Sequence, residues 1–179
     1  MKRNRPAMSL FNRLLGRPDP GQEQIRPLWH KVVELARDPD WYARGGVADT
    51  VPGRFDAITL VLALVMRRMD GQPELRAPSA RLTELFVSDM DGQLRQSGVG
   101  DLAMAKRMGK LMSVLAGRME ALEQALAQPD DAELIAVIER NVTLNDGADV
   151  AAIAARVRQL AARLAAIGND DLLTGRIAA

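Results

Sequence analysis

Residues 51–70 limit the choice of fold more than any other stretch of the chain. Their sequence, VPGRFDAITLVLALVMRRMD, is apolar nearly all round when wound as a helix. Phe55, Ile58, Leu62, Val65 and Met69 fall on one stripe, and Ala57, Leu60, Val61 and Leu64 fill the opposite side. A helix without a polar face has to be buried on all sides. Its apolar run, 57–66 with one interruption at Thr59, is shorter than the ~20 residues that a bilayer crossing takes. The partners that bury it must therefore come from the same chain. The composition supplies them: 47% of residues are hydrophobic, only 3% are aromatic, and there are 9 methionines. Strand formers are scarce, so the expected fold is an all-α, single-domain helical bundle around this central helix.

The other helices follow from apolar spacing. A first helix is predicted over 27–37, starting at Pro27, with Leu28, Val32 and Leu35 inward. Pro39 stops it, and Asp40 is placed to cap a short turn carrying Trp41 and Tyr42. In a chain this poor in aromatics, that pair serves as a core plug or as a partner anchor. Ser79 or a neighbour is expected to cap the next helix, with Leu82, Leu85, Phe86, Met90 and Leu94 inward. A long helix is predicted over 101–127, on the stripe Met104, Met108, Leu111, Leu115, Met119, Leu122 and Leu126. Pro129 ends it. Asp130 and Glu133 help to start a shorter helix, and a turn follows at Asn145-Asp146-Gly147. The last helix, over 149–167, has an apolar seam that alternates steps of three and four. That seam can close the bundle or pair with a second copy.

The corner between the two middle helices, FVSDMDGQLRQSGVGDLAMAKRMGKLM over 86–112, carries most of the candidate functional residues. Gly98 and Gly100 form the turn, and Asp101 is placed to cap the long helix. Asp91 and Arg95 are spaced to pair. Arg54 stands at the positive end of the central helix, where it is out of place unless a carboxylate answers it; Asp89 or Asp91 is the expected partner. Asp56 suits that end. Lys106, Arg107 and Lys110 form a basic cluster that reads as a solvated face or as an acidic or phosphate-rich contact. Ala105, Gly109, Ser113, Gly117, Ala121 and Ala125, all small and four apart, allow another helix to come close. The favoured reading is a close neighbour within the fold, and the alternative is an open groove for a client helix.

Little of this looks like catalysis. There are no cysteines and one histidine, His30, which reads as a surface residue and not as a ligand. No phosphate loop, zinc-binding or nucleophile-elbow motif is present. An enzyme would have to centre on Asp89 and Asp91, but residues two apart on a helix point about 200° apart and cooperate poorly. No catalytic, metal or cofactor site is expected. Residues 1–17 carry five basic side chains and no acid, against a net +1 for the whole chain. With Leu10, Phe11, Leu14 and Leu15, this leader reads first as a frayed terminus packing loosely on the body, and alternatively as a foot in weak contact with a membrane surface. Sequence-specific nucleic-acid binding is not expected.

Two stretches, LWHKVVELARDPDWYARGGVADTVPGRFD and the 86–112 corner, carry a resemblance. In combination, the Trp41-Tyr42 pair, GRFD, DMD with LR, and GVGD followed by KRM resemble the ubiquinol-cytochrome c chaperone family over about 29–117. The Arg- and Ala-rich composition suggests a bacterial member. The resemblance implies a non-enzymatic chaperone or assembly factor for cytochrome b of the cytochrome bc1 complex. The implied partners are apo-cytochrome b or another hydrophobic client, with ribosome contact as a further one. It marks Trp41, Tyr42, Arg54, Asp89, Asp91, Lys106, Arg107 and Lys110 as partner-binding candidates, and the small-residue row adds Ala105, Gly109 and Ser113 to them. Asp56, Arg95, Gly98, Gly100 and Asp101 are marked as the structural corner. The expected organisation is a leader and linker over 1–21, a helical chaperone domain over 22–142, and a C-terminal helix over 143–179. The expected place of work is the cytoplasm, peripheral to the inner face of the cytoplasmic membrane. The client is expected in a cleft lined by Met, Leu and small residues with charge at its rim. A tethering module that dimerises through the last helix is the competing reading.

Overall fold

The computed structural model describes residues 20–96 and 101–178, with side chains for 21–92 and 109–178. Every regular element among them is helical, and the one β-type contact is an isolated antiparallel bridge between Val47 and Leu144. No helix among the described residues is long and apolar enough to cross a membrane.

The central helix forms as its sequence demands. This helix, α3 (Val51–Met69), is capped by Thr50, whose hydroxyl accepts from the Gly53 amide at 3.3 Å. Residues 59–65 are all buried. Its covers come from both sides in sequence: α1 (Pro20–Ala36) before it, and α5 (Asp101–Leu126) and α7 (Val150–Ala166) after it. Between them, α4 (Arg76–Gln96) packs mainly on α1, and α6 (Ala132–Asn141) spans α5 and α7.

Several boundaries differ from expectation for local reasons. Helix α1 begins at Pro20, and Pro27 lies inside it. Pro20 takes the first-turn role assigned to Pro27, and the added turns are held by Ile25, which is 2% exposed. The short helix α2 (Pro39–Ala43) is capped by Asp38, not Asp40: the Asp38 carboxylate accepts from the Asp40 amide at 2.9 Å. Helix α4 starts at Arg76, not near Ser79, because a 3-10 turn at Pro73–Leu75 leads straight into it. Helix α6 is capped by Asp131 in backbone geometry only, while Asp130 takes the Ala132 amide at 3.0 Å.

The last helix closes the bundle. Ile153, Val157, Leu160 and Leu164 of its seam are buried against the core, with Val150 and Ile167 partly buried beside them. The seam is therefore spent within the chain, and not on a second copy. Its end is capped from the central helix: the Arg68 guanidinium donates to the carbonyls of Leu164 and Ile167, each at 2.9 Å. A short helix not anticipated from sequence, α8 (Asn169–Leu173), then turns the chain back over α1. Ile177 anchors the tail at 3% exposure. Gly175, at φ +71°, lies so close to Pro27 that an added Cβ would sit 2.7 Å from its carbonyl oxygen.

Candidate functional site

Two surfaces stand out. The first is a groove of about 750 Å³ along the outer side of α1. Steps of three and four along a helix bring Arg26, Trp29, His30, Val33 and Arg37 to this side. Asp38 and Pro39 close one end, and Asp89 of α4 forms the far wall. Trp29 is fixed by two contacts: its indole N–H donates to the Asp89 carboxylate at 2.9 Å, and its ring meets Phe86 edge-on at 6.1 Å. Charged side chains are among its lining, and the apolar part of the lining is Trp29, Val33 and Pro39, with neither Met nor Leu. Such a groove can hold a short segment by apolar contact flanked by ion pairs.

The second surface is the outer face of α5. Gly109, Lys110, Ser113, Ala116 and Gly117 are exposed. A Cβ built on Gly109 or Gly117 meets no atom within 4 Å. The favoured reading of the small-residue row, a close neighbour within the fold, therefore fails over this part. It holds further along, where Ala125 is fully buried and Ala121 packs against the core. The opposite side of the same helix is embedded, with Leu115 and Leu122 at 1% and 0% exposure.

The other candidates separate into core and surface. Trp41 is a plug, 2% exposed, with its indole N–H on the Leu35 carbonyl at 2.8 Å. Tyr42 is half-buried and donates its hydroxyl proton to the Ala36 carbonyl at 2.9 Å. Burial first, and the nearby Asp49 charge second, push its phenol above the ordinary value. Arg54 does not answer Asp89 or Asp91; it pairs with Asp49 at 2.6 Å. Asp49 lies just ahead of the helix, within reach without crossing the bundle. The hydrogen bond holds the Asp49 carboxyl below, and the Arg54 guanidinium above, their usual ranges. Asp91 is half-buried and is not part of the groove wall that Asp89 forms. His30 is exposed at the groove. The corner glycines Gly98 and Gly100 lie outside the described residues, as do the side chains of Arg95, Asp101, Ala105, Lys106 and Arg107. No group of three or more metal-ligating side chains occurs among the described residues.

Asp56 has a larger role than complementing a helix end. It is 9% exposed and pairs with Arg118 of α5 at 2.5 Å, while its second oxygen accepts the amide and hydroxyl of Thr143 at 2.9 and 2.7 Å. Arg118 and Thr143 were not anticipated. The available signal was an arginine between Leu115 and Leu122 on an apolar stripe, facing a lone acid in the most apolar helix. Gly53 of the same GRFD motif is needed for space: a Cβ there would sit 2.0 Å from the Ala48 carbonyl oxygen.

Residues 43–179 match the family described as ubiquinol-cytochrome C chaperone. The chain belongs to the ubiquinol-cytochrome c chaperone family. Its role is that of a chaperone in cytochrome bc1 assembly. This chaperone is also similar to a solved structure, "Crystal structure of the Cbp3 homolog from Brucella abortus", at 31% identity and a TM-score of 0.76, over 96% of this chain and 95% of that one. No curated protein matches it. The family match runs to the last residue, so the resemblance does not stop near 117 and the C-terminal helices of this chaperone are part of it.

Proposed function

We propose that the client of this chaperone is cytochrome b, held along the exposed face of α5 by a non-enzymatic mechanism. The observation that carries the client surface is the open run of Gly109, Ser113 and Gly117, with nothing of the described fold against either glycine. Small residues four apart let a second helix approach closely. The apolar helices of a membrane subunit are partners of that kind. Lys110 on the same face adds positive charge, and with Lys106 and Arg107 in sequence it suits an acidic or phosphate-rich contact such as the ribosome. The basic leader over 1–17 suits work at the inner face of the membrane. Membership in a chaperone family supports a binding role over a catalytic one.

Crosslinking in living cells tests this reading. A photoreactive residue at 113 should capture cytochrome b, and one at the exposed Glu139 of α6 should not. Replacing Gly109→Leu and Gly117→Leu together should lower both capture and the amount of assembled bc1 complex without lowering the melting temperature. Equal capture from both positions, or normal assembly with both leucines in place, would sink the proposal.

A further inference from the structure

Charge inside a helical core has to answer to a cost, since desolvating an ion pair commonly consumes what the pair returns. Arg118 and Asp56, at 5% and 9% exposure, are buried charged residues of the described core. Arg118 reaches out of α5 and bonds only to other segments. One terminal nitrogen donates to the Asp56 carboxylate and to the Asn141 carbonyl at the end of α6. The other donates to the Asp56 carbonyl and to the Thr59 hydroxyl on α3. Its Nε is buried without a partner. An unpaired buried donor is costly, so this arrangement is poorly explained as a device for net stability.

The apolar surroundings of α5 leave a different task open. Leu111, Met112, Met119, Ala121 and Leu126 pack partly buried around the fully buried Leu115 and Leu122. Apolar contact is non-directional. A helix with so wide an apolar arc can turn about its axis and still bury hydrocarbon. The forked bonds of Arg118 are directional, and they fit one rotation.

We propose that the Asp56–Arg118 pair sets the rotation of α5 about its own axis, which makes Arg118 a positioning residue for the face at Gly109, Ser113 and Gly117. This rests on the client reading only for its consequence, because rotation can be measured with no client present. A polar group retained in a core to fix register is the best-attested use of such pairs.

The test uses the full chain, which has no cysteine of its own. Ser113→Cys places a thiol on the exposed face and Leu115→Cys places one on the buried face. Maleimide labelling should be far faster at 113 than at 115. In the apolar pair Asp56→Leu with Arg118→Met, which also releases the Thr143 amide and hydroxyl, the melting temperature should lie well above that of Arg118→Met alone, and the ratio of the two rates should fall by about tenfold or more as rotated states become populated. An unchanged ratio overturns the proposal, because packing alone would then set the rotation. A double variant that melts as low as Arg118→Met alone also overturns it, because the pair would then be a net stabiliser. Arg118→Lys covers the case in which the double variant fails to fold. It keeps the charge and loses the fork, so the ratio should fall; an unchanged ratio again overturns the proposal. A fallen ratio with cytochrome b capture unchanged counts against the client reading and leaves this one standing.

Discussion

The Arg156 guanidinium lies over the ring of Trp41, 4.9 Å from its centroid. It also pairs with Asp38 and, at 3.3 Å, with Asp40, the carboxylates on either side of Pro39. One side chain of α7 thus clamps the α1–α2 corner. Its side chain is 24% exposed, so stacking and ion pairing are partly desolvated. Arg156→Ala should cost about 1–2 kcal/mol. Arg156→Lys should recover only part of that, since a point charge cannot stack as a planar fork does. Urea denaturation followed by tryptophan emission measures both.

Arg118→Ala should be the most damaging single change, because it leaves Asp56 buried without its counter-charge. The expected loss is about 3–5 kcal/mol, a large share of the ~5–15 kcal/mol that holds an ordinary domain together. Thr143→Val removes one neutral hydroxyl bond and keeps the pair, so it should cost about 1 kcal/mol. Equal losses from the two would mean that charge burial is not what matters there.

Glycine has opposite effects at two places. At Gly53 a Cβ would collide with the backbone oxygen of Ala48 at 2.0 Å. Gly53→Ala should therefore cost about 1–3 kcal/mol through displaced backbone. At Gly117 a Cβ meets nothing, so Gly117→Ala should stabilise by about 0.5–1 kcal/mol through helix propensity alone. Thermal unfolding of the two variants should move in opposite directions.

Tyr42 is the single tyrosine of the chain, so tyrosinate absorbance reports on it alone. Its phenol is raised above the ordinary 10.0, first by burial and then by Asp49. The native midpoint should lie above that of the denatured chain. Its contribution is fully present below the unfolded value and is lost as pH rises through the folded one. Tyr42→Phe should remove this alkaline loss, and Asp49→Asn should lower the native midpoint.

The bundle was legible because apolar periodicity is a local signal. Residues 51–70 named their own burial, and the seam of α7 named its inward face. Helix starts were less legible, since Pro20 and Pro27 offer the same local chemistry and only the burial of Ile25 decides between them. Charge pairing was the least legible. Arg54 was matched to carboxylates far along the chain while Asp49 stood five residues away. Asp56, in turn, found a partner 62 residues off, on a helix whose rotation no local rule supplies. Pairing is a property of the assembled packing, whereas periodicity belongs to the segment itself.

Arg68 has a kinetic implication. Its acceptors at Leu164, Ile167 and Asn169 lie 96 to 101 residues further along the chain. The central helix emerges before them in synthesis, yet the Arg68 guanidinium finds these acceptors only after about a hundred further residues have been made. Long-range closures of this kind are slow, and chains waiting for them expose apolar surface. This chaperone is thus itself sticky until its last two helices have been made, which makes its own folding a step that must precede its encounter with a client.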